Sequence, residues 1–497
     1  LGSSQARSVA LCALAGAALP LAFAPFFWWW LAPVCYAALF LAWRDATPRQ
    51  AFARGWMFGC AQFLFGVYWI YISVHEIGQA PVWIAVMLML GLVFAMALYP
   101  ALVGWVAARW FATRGRWHWL ATLPALMVLA EWVRSWALTG FGWLAPGYSQ
   151  TESWLLGLAP VLGVLGVSWS VFFVAGALAA AFDGDRRERL TAAVAIVAIF
   201  GVGLATMRIA WTEPKRDAIS VALVQGAVPQ ELKWLPQQLT ATLDLYRALT
   251  VQSLGSDLIV WPEAAIPEYY ENYVRWLSDV EQLAAGAGSH VMLGMLKFHE
   301  AGAQNAVFTL GQPDSTYIKR HLVPYGEYFP MPDFVRPWVA SINLAFIDTQ
   351  PGDKNQPPVA LLGEQIAVTI CYEDVFGAEQ LHSFPDSTLL VNVSNDAWFG
   401  DSLAPHQHLQ IARFRSAEVR RSQLRSTNTG ITAVIDPYGR VSSRIAQFEP
   451  GVLRASVTGM TGSTPYIVWG DLAVLFLAAA VVAAYWARTK FTIRPGT

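Results

Sequence analysis

Three short stretches of this chain end in side chains suited to acyl transfer. "QIAVTICYED" (365–374) places Cys371 at the end of an apolar, β-branched run. "DLIVWPE" (257–263) ends in Glu263, and "STYIKRHLVPYGE" (315–327) carries Lys319 and Glu327. A free thiol ionises near pH ~8.5, so at neutral pH it needs help to become a nucleophile. A carboxylate within reach takes the proton and later returns it to a leaving group. An ammonium, joined by backbone N–H groups following the cysteine, stabilises the oxyanion of a tetrahedral intermediate. The set describes covalent acyl transfer through a thioester. Taken singly, each residue has a plain structural reading. A lone cysteine ending a strand packs as a small core residue, Glu263 follows a proline as turn acids do, and Lys319 stands beside Arg320 and His321 as on a solvated face.

Strand-like runs must position these groups. They are "AISVALVQG" (218–226), "DLIVWPE" (257–263), "HVMLGMLKF" (290–298), "QNAVFTL" (304–310), "QIAVTICYED" (365–374), "TLLVNVSND" (388–396) and "ITAVIDPYG" (431–439). Between them, 271–285 sets Val274, Leu277, Val280 and Leu283 at three-residue steps, and 406–424 shows a long polar and basic helical pattern. Strands alternating with helices, and nearly continuous in apolar character, predict a layered α/β domain buried on both sheet faces. In such domains functional side chains gather where strands end. The domain is expected over 211–465, a length that suits one unit.

The rest of the 497 residues reads differently. Only 13% of the chain is charged, against about 25% in soluble proteins. The deficit lies in 8–210 and 466–490, which predicts a membrane protein. Residues 8–43 hold no charged side chain and are broken by Pro20, Pro25 and Pro33, so they read as two helices. A bilayer core takes about 20 apolar residues as helix. Further spans are expected near 55–73, 80–108, 117–136, 155–182, 190–207 and 469–487, for a total of eight. The first run is followed directly by another, so it reads as a retained anchor. Glu131 and Arg134 share a helical face near the end of the fifth span, where a structural pair and a substrate-facing pair are both open readings.

Arginine and lysine in alternate loops set the orientation. Arg7, then Arg44, Arg49 and Arg54, then Arg109, Arg114 and Arg116, then Arg186, Arg187 and Arg189, and finally Arg488, Lys490 and Arg494 all fall on one side. The other loops are almost free of them. The positive-inside rule puts both termini in the cytoplasm and the large domain outside, which in a bacterium is the periplasm. In that oxidising space one local cysteine suggests a thiol kept for chemistry. Four cysteines without paired spacing predict neither a disulfide framework nor a zinc site. A net charge of −1 gives no argument for nucleic acid. His406 and His408 form an HxH that lacks further ligands and reads as a surface helix start. No nucleotide, metal or other cofactor is expected.

"LIVWPEAAIPE", "YIKRHLVPYGEYFP", "ICYEDVF" and "LLVNVSNDAWFGDS" resemble the nitrilase superfamily. With eight spans around the domain, and with "QGAVPQELKW" (225–234) and "GFGWLAPGYSQ" (140–150), almost the whole chain resembles the membrane-embedded branch, the apolipoprotein N-acyltransferase family. The resemblance implies a four-layer αββα domain. It also implies movement of an acyl chain from a phospholipid, typically phosphatidylethanolamine, to the α-amino group of diacylglyceryl-cysteine in an apolipoprotein. By motif position it makes Cys371 the nucleophile, Glu263 the general base, Lys319 the oxyanion-stabilising lysine and Glu327 a second essential acid. Trp234, Tyr372 and Glu373 match further residues needed for activity. Phe141-Gly142 stands where a proline commonly precedes the tryptophan in relatives, which touches only loop geometry. Both substrates being lipid-anchored, the site is expected near the outer bilayer surface. Tyr325, Phe329, Phe334, Trp338 and Phe346 are candidates for a lid, or equally for packing.

Two other classes use parts of the same evidence. A membrane-tethered nitrilase-type amidase would use the triad with water as second nucleophile. A transporter with a ligand-binding outer domain is disfavoured by few buried charges and no clear repeat. A histidine–aspartate glycerolipid acyltransferase is excluded, because none of the eight histidines has Asp or Glu five positions on. No GxSxG elbow occurs.

Overall fold

The computed structural model describes residues 3–111, 117–328 and 349–492. Of the lid candidates, Phe329, Phe334, Trp338 and Phe346 lie outside the described residues. The chain forms two compact units.

The first unit takes in residues 1–71, 83–209 and 468–497 and is helical. Among the described residues, four helices are long and apolar enough to cross a bilayer: Gln5–Ala22, Val82–Trp110, Trp154–Phe182 and Arg186–Met207. A fifth is possible if Pro48–Gly66 and Trp69–Ile77, bent by 52°, count as one. The eight-span expectation is therefore met only in part. Leu31–Trp43 has 13 residues, a rise of roughly 20 Å against a hydrocarbon core of about 30 Å. Leu123–Trp136 has 14 residues and continues the π-helical turn His118–Thr122, and the last helix, Leu472–Thr492, has 21 residues, of which Leu472–Ala487 is the apolar part. Capping boxes start two of the helices: Thr47 with Gln50 before Pro48–Gly66, and Asp185 with Glu188 before Arg186–Met207. Glu131 and Arg134 are both buried and bonded to each other. The guanidinium also donates to the carbonyls of Phe141 and, at 2.8 Å, Trp143. The pair thus ties the buried loop 140–150 to its helix, which is a structural task.

The second unit takes in residues 72–82 and 210–467. One sheet contains β1 (Thr212–Gln225), β2 (Leu258–Val260), β3 (Ile266–Tyr269), β4 (His290–His299), β5 (Gly302–Thr309) and β6 (Gln312–Ile318). The other contains β7 (Val359–Leu361), β8 (Glu364–Ile370), β9 (Leu389–Ser394), β10 (Gln423–Thr427), β11 (Ala433–Ile435) and β12 (Val441–Arg444). The last strand, β13 (Gly451–Gly462), returns to the first sheet, whose order is β13-β1-β2-β4-β5-β6 with β3 beside β4. The second sheet runs β12-β11-β10-β9-β8-β7.

Because side chains alternate across a strand, each sheet buries two faces. Val221, Val260, Met292, Ile370, Val391 and Leu424 meet between the sheets. Tyr246, Leu249, Leu277 and Val280, from helices Leu239–Ser253 and Val274–Ala285, cover the first sheet's outer face. Leu409 and Ala412, from helix Ala404–Val419, cover part of the second. The layering is αββα, and the parallel pairs β1–β2, β2–β4, β8–β9 and β9–β10 form its centre.

The helix expected over 406–424 ends at Val419, where Arg420 takes a left-handed φ of 52°. The chain then enters β10. Buried Arg421 anchors this turn by donating to the carbonyls of Ser387 at 2.6 Å and Gly462 at 2.8 Å. Residues 72–82, expected as the loop 74–79 with the ends of its two flanking spans, belong to this unit instead. Ile72 lies against Gly400, whose φ of 54° and lack of a Cβ permit the approach.

Candidate active site

Glu263 follows β2, Lys319 follows β6 and Cys371 follows β8, so the three candidate side chains stand just beyond three strand ends. Lys319 is 1% exposed, the opposite of a solvated face. Its ammonium donates to Glu263 Oε1 at 3.2 Å and to Glu327 Oε1 at 2.7 Å. Asn305 on β5 donates to the same two oxygens, at 2.7 and 3.2 Å. The second oxygen of Glu263 accepts from the Asn395 backbone N–H at 2.8 Å. That of Glu327 accepts from Val323 N–H at 2.8 Å. Burial would pull Lys319 down, but Glu263 and Glu327 outweigh it and hold the ammonium above its ordinary range. This lysine stays charged.

Cys371 opens a tight turn with a φ of 54°, a conformation rare outside glycine and concentrated at functional positions. Burial raises its thiol well above the usual value. The charge of Glu263 adds to that, while Lys319 and the Ser394 hydroxyl oppose it. The resting group is therefore a protonated thiol within electrostatic reach of both Glu263 and Lys319.

Glu373 lies behind the turn. It accepts from the backbone N–H groups of Ile370 at 2.8 Å, Arg320 at 2.8 Å and His321 at 3.2 Å, and from the Tyr317 hydroxyl. Burial raises its carboxyl, and those N–H donors oppose the rise. Its work is to lash the end of β6 to the end of β8, across the two sheets. Tyr372 packs edge-on to Phe376 at 5.1 Å and near the His321 ring. Trp234 caps the helix Gln230–Lys233 and is 41% exposed. Tyr325 is exposed, with a φ of 62°.

His408 corrects the surface reading: it is fully buried. Its Nδ1 lies 2.9 Å from Asp396, and its Nε2 donates to the Cys371 carbonyl at 3.1 Å. Arg425 donates to Asp396 Oδ2 at 2.8 Å. Burial would raise Asp396, but Arg425 and His408 prevail and hold it well below the usual carboxylate range. The sequence does not single out Asn305, Asn395 or Arg425, and it offers His408 only as half of the HxH. "NVSND" contained one of them, but nothing in the string marks which polar residues turn inward.

Residues 15–177 match the family model described as "Apolipoprotein N-acyltransferase N-terminal domain", and residues 220–466 match "Carbon-nitrogen hydrolase". Relatives named apolipoprotein N-acyltransferase span nearly the whole chain. That of Methylococcus capsulatus is 39% identical over 97% of this chain and 97% of its own. That of Nitrosomonas europaea is 40% identical over 97% and 99%. That of Azotobacter vinelandii is 41% identical over 95% and 94%.

Proposed function

The chain belongs to the apolipoprotein N-acyltransferase family, and from that premise we propose how its own residues carry an acyl chain from a membrane phospholipid to the N-terminal amino group of a diacylglyceryl-cysteine lipoprotein. The observation that supports this reading best is the buried ammonium of Lys319, held by Glu263 and Glu327 within electrostatic reach of Cys371.

Because the thiol rests protonated, Glu263 removes its proton as the sulfur attacks the ester carbonyl of the phospholipid. Lys319 and backbone N–H groups after Cys371 hold the oxyanion. The intermediate collapses by breaking the C–O bond, and the lysophospholipid leaves with the proton from Glu263. A thioester remains on Cys371. The lipoprotein amine then attacks that thioester and gives a proton to Glu263. The amide forms, the C–S bond breaks, and the sulfur recovers its proton. Glu327 shares Lys319 and keeps its ammonium aimed. Trp234 and Tyr372 are assigned to substrate contact, and Glu373 to holding the two strand ends in register. Phosphatidylethanolamine is the expected donor.

We place the α/β catalytic domain, over 211–465, in the periplasm and both termini in the cytoplasm of a bacterial inner membrane. The alternate arginine-rich loops support that orientation. Eight crossings suit it, with helices Leu31–Trp43, Leu123–Trp136 and Leu472–Thr492 completing the count.

Mass spectrometry of purified protein incubated with phospholipid alone tests the reading. A stable acyl group on Cys371, discharged by a diacylated lipopeptide, is the expected result. Steady release of free fatty acid without an acceptor would instead identify an amidase-type hydrolase.

A further inference from the structure

Lys233 is 1% exposed, yet no carboxylate oxygen lies within hydrogen-bond distance of its ammonium among the described residues. Its partners are the Asn395 side-chain oxygen at 3.2 Å and the Glu263 backbone carbonyl at 3.4 Å. A buried charge with only neutral acceptors weakens a fold unless its field is used. Asn395 is also the residue whose backbone N–H holds Glu263 Oε2 at 2.8 Å. The same side-chain oxygen accepts from Asn428, and the Asn395 amide donates to Gln230 Oε1 at 2.9 Å.

The charges facing Glu263 come from every element around it. Asp396, after β9, is matched by Arg425 and His408. Glu373 is saturated by backbone N–H groups and Tyr317. Cys371 rests neutral. That leaves two carboxylates, Glu263 and Glu327, sharing one ammonium, Lys319. Burial pulls Lys233 down to about 8, so it still carries its proton at neutral pH.

We propose that Lys233 is a positioning residue for the proton-transferring acid: its ammonium is the second cation of the site, offsetting the Glu263–Glu327 pair and fixing Asn395 against Glu263. The inference rests on the Cys371 acyl-transfer reading above. It acts through Glu263 and touches no substrate.

The test uses the full-length protein in phosphatidylethanolamine micelles. Single-turnover thioester formation is followed against pH for wild type, Lys233→Met, Lys233→Gln and Lys233→Arg. Glutamine keeps a donor toward Asn395 but loses the charge, and it serves as the charge-removal test should the methionine variant fail to fold. Removing the cation favours the protonated form of its neighbouring acid. The acid limb in the Met and Gln variants should therefore move up by about one pH unit, a roughly tenfold loss at pH values below the wild-type limb that disappears on the plateau above it. Arginine should leave the limb where wild type has it. Iodoacetamide alkylation of Cys371 against pH should shift the same way, and it reads the site even if no thioester forms. A uniform loss at every pH, or unmoved profiles in both neutral variants, would overturn the role. Absence of any wild-type thioester would instead sink the acyl-transfer reading while the alkylation profiles still judged Lys233.

Discussion

On one side of Cys371, Asp396 is gripped by both His408 and Arg425, with Asp374 close to the same guanidinium. On the other side, one ammonium, Lys319, is divided between Glu263 and Glu327. Both clusters are buried and both act on the thiol, Glu263 and Lys319 more strongly than Asp396, but only the first bonds the Cys371 backbone. The first reaches the Cys371 backbone carbonyl through His408, so it fixes where the strained turn sits. The second acts on the sulfur through the field of its charges. A fully matched cluster resists proton movement and suits a scaffold. A cluster with shared charge can pass a proton and suits chemistry.

Breaking each cluster should separate the two roles. Replacing Cys371 with Ala removes the group that would carry the acyl chain, so transfer should fall at least about 10⁴-fold, measured as triacylated lipopeptide by mass spectrometry. Glu263→Gln should cost roughly 10²–10⁴ in thioester formation while keeping a hydrogen-bonding side chain in place, and Lys319→Met should cost as much in chemistry and, by leaving Glu263 and Glu327 buried without their ammonium, about 3–5 kcal/mol of stability as well. A large stability loss with unchanged chemistry would reverse the assignment. Arg425→Met should weaken the fold rather than the chemistry. It leaves Asp396 buried with only His408 and the Ser394 hydroxyl as side-chain partners among the described residues and should cost about 3–5 kcal/mol of stability in a detergent melt.

The smallest effect is on the pH dependence of stability and concerns Lys233. Its amine lies below the ordinary lysine value, at about 8, so the folded state binds fewer protons than the unfolded one between about 8 and the ordinary value. Its burial cost, on the order of 3 kcal/mol, is fully present below pH ~8 and is relieved as pH rises toward ~10.5. Lys233→Met should therefore melt no lower than wild type at pH ~7, and its advantage should shrink by pH ~10. A variant markedly less stable at neutral pH would count against an unmatched charge there.

The reactive side chains were legible because each closes a recognisable run: "LIVWPE", "TYIK" and "AVTIC" end in the residues now found at the ends of β2, β6 and β8. Lys233 and Asn395 were visible as letters in "QELKW" and "NVSND", but no local pattern said they face inward. β13 has no clean apolar run, since "GVLRASVTGMTG" mixes Val452, Leu453, Val457 and Met460 with glycines and polar residues, and pairing with β1 is what makes it a strand. The helical pattern over 406–424 runs into the first two residues of β10, since "RRSQLRST" is polar except for Leu424. The burial of β10 depends on its lying between β9 and β11.

The order of residues alone determined that a lipid-facing helical region accompanies a layered α/β domain, and it supplied a thiol, an acid and an amine at strand ends. Those features follow from hydropathy and local periodicity, which neighbouring residues set. Only the tertiary structure decided that Lys319 is shared by two carboxylates, that His408 is buried on the Cys371 carbonyl, and that Lys233 stands without an acidic partner among the described residues. Burial and charge balance depend on segments brought together from far apart in the chain, and no local pattern carries that information.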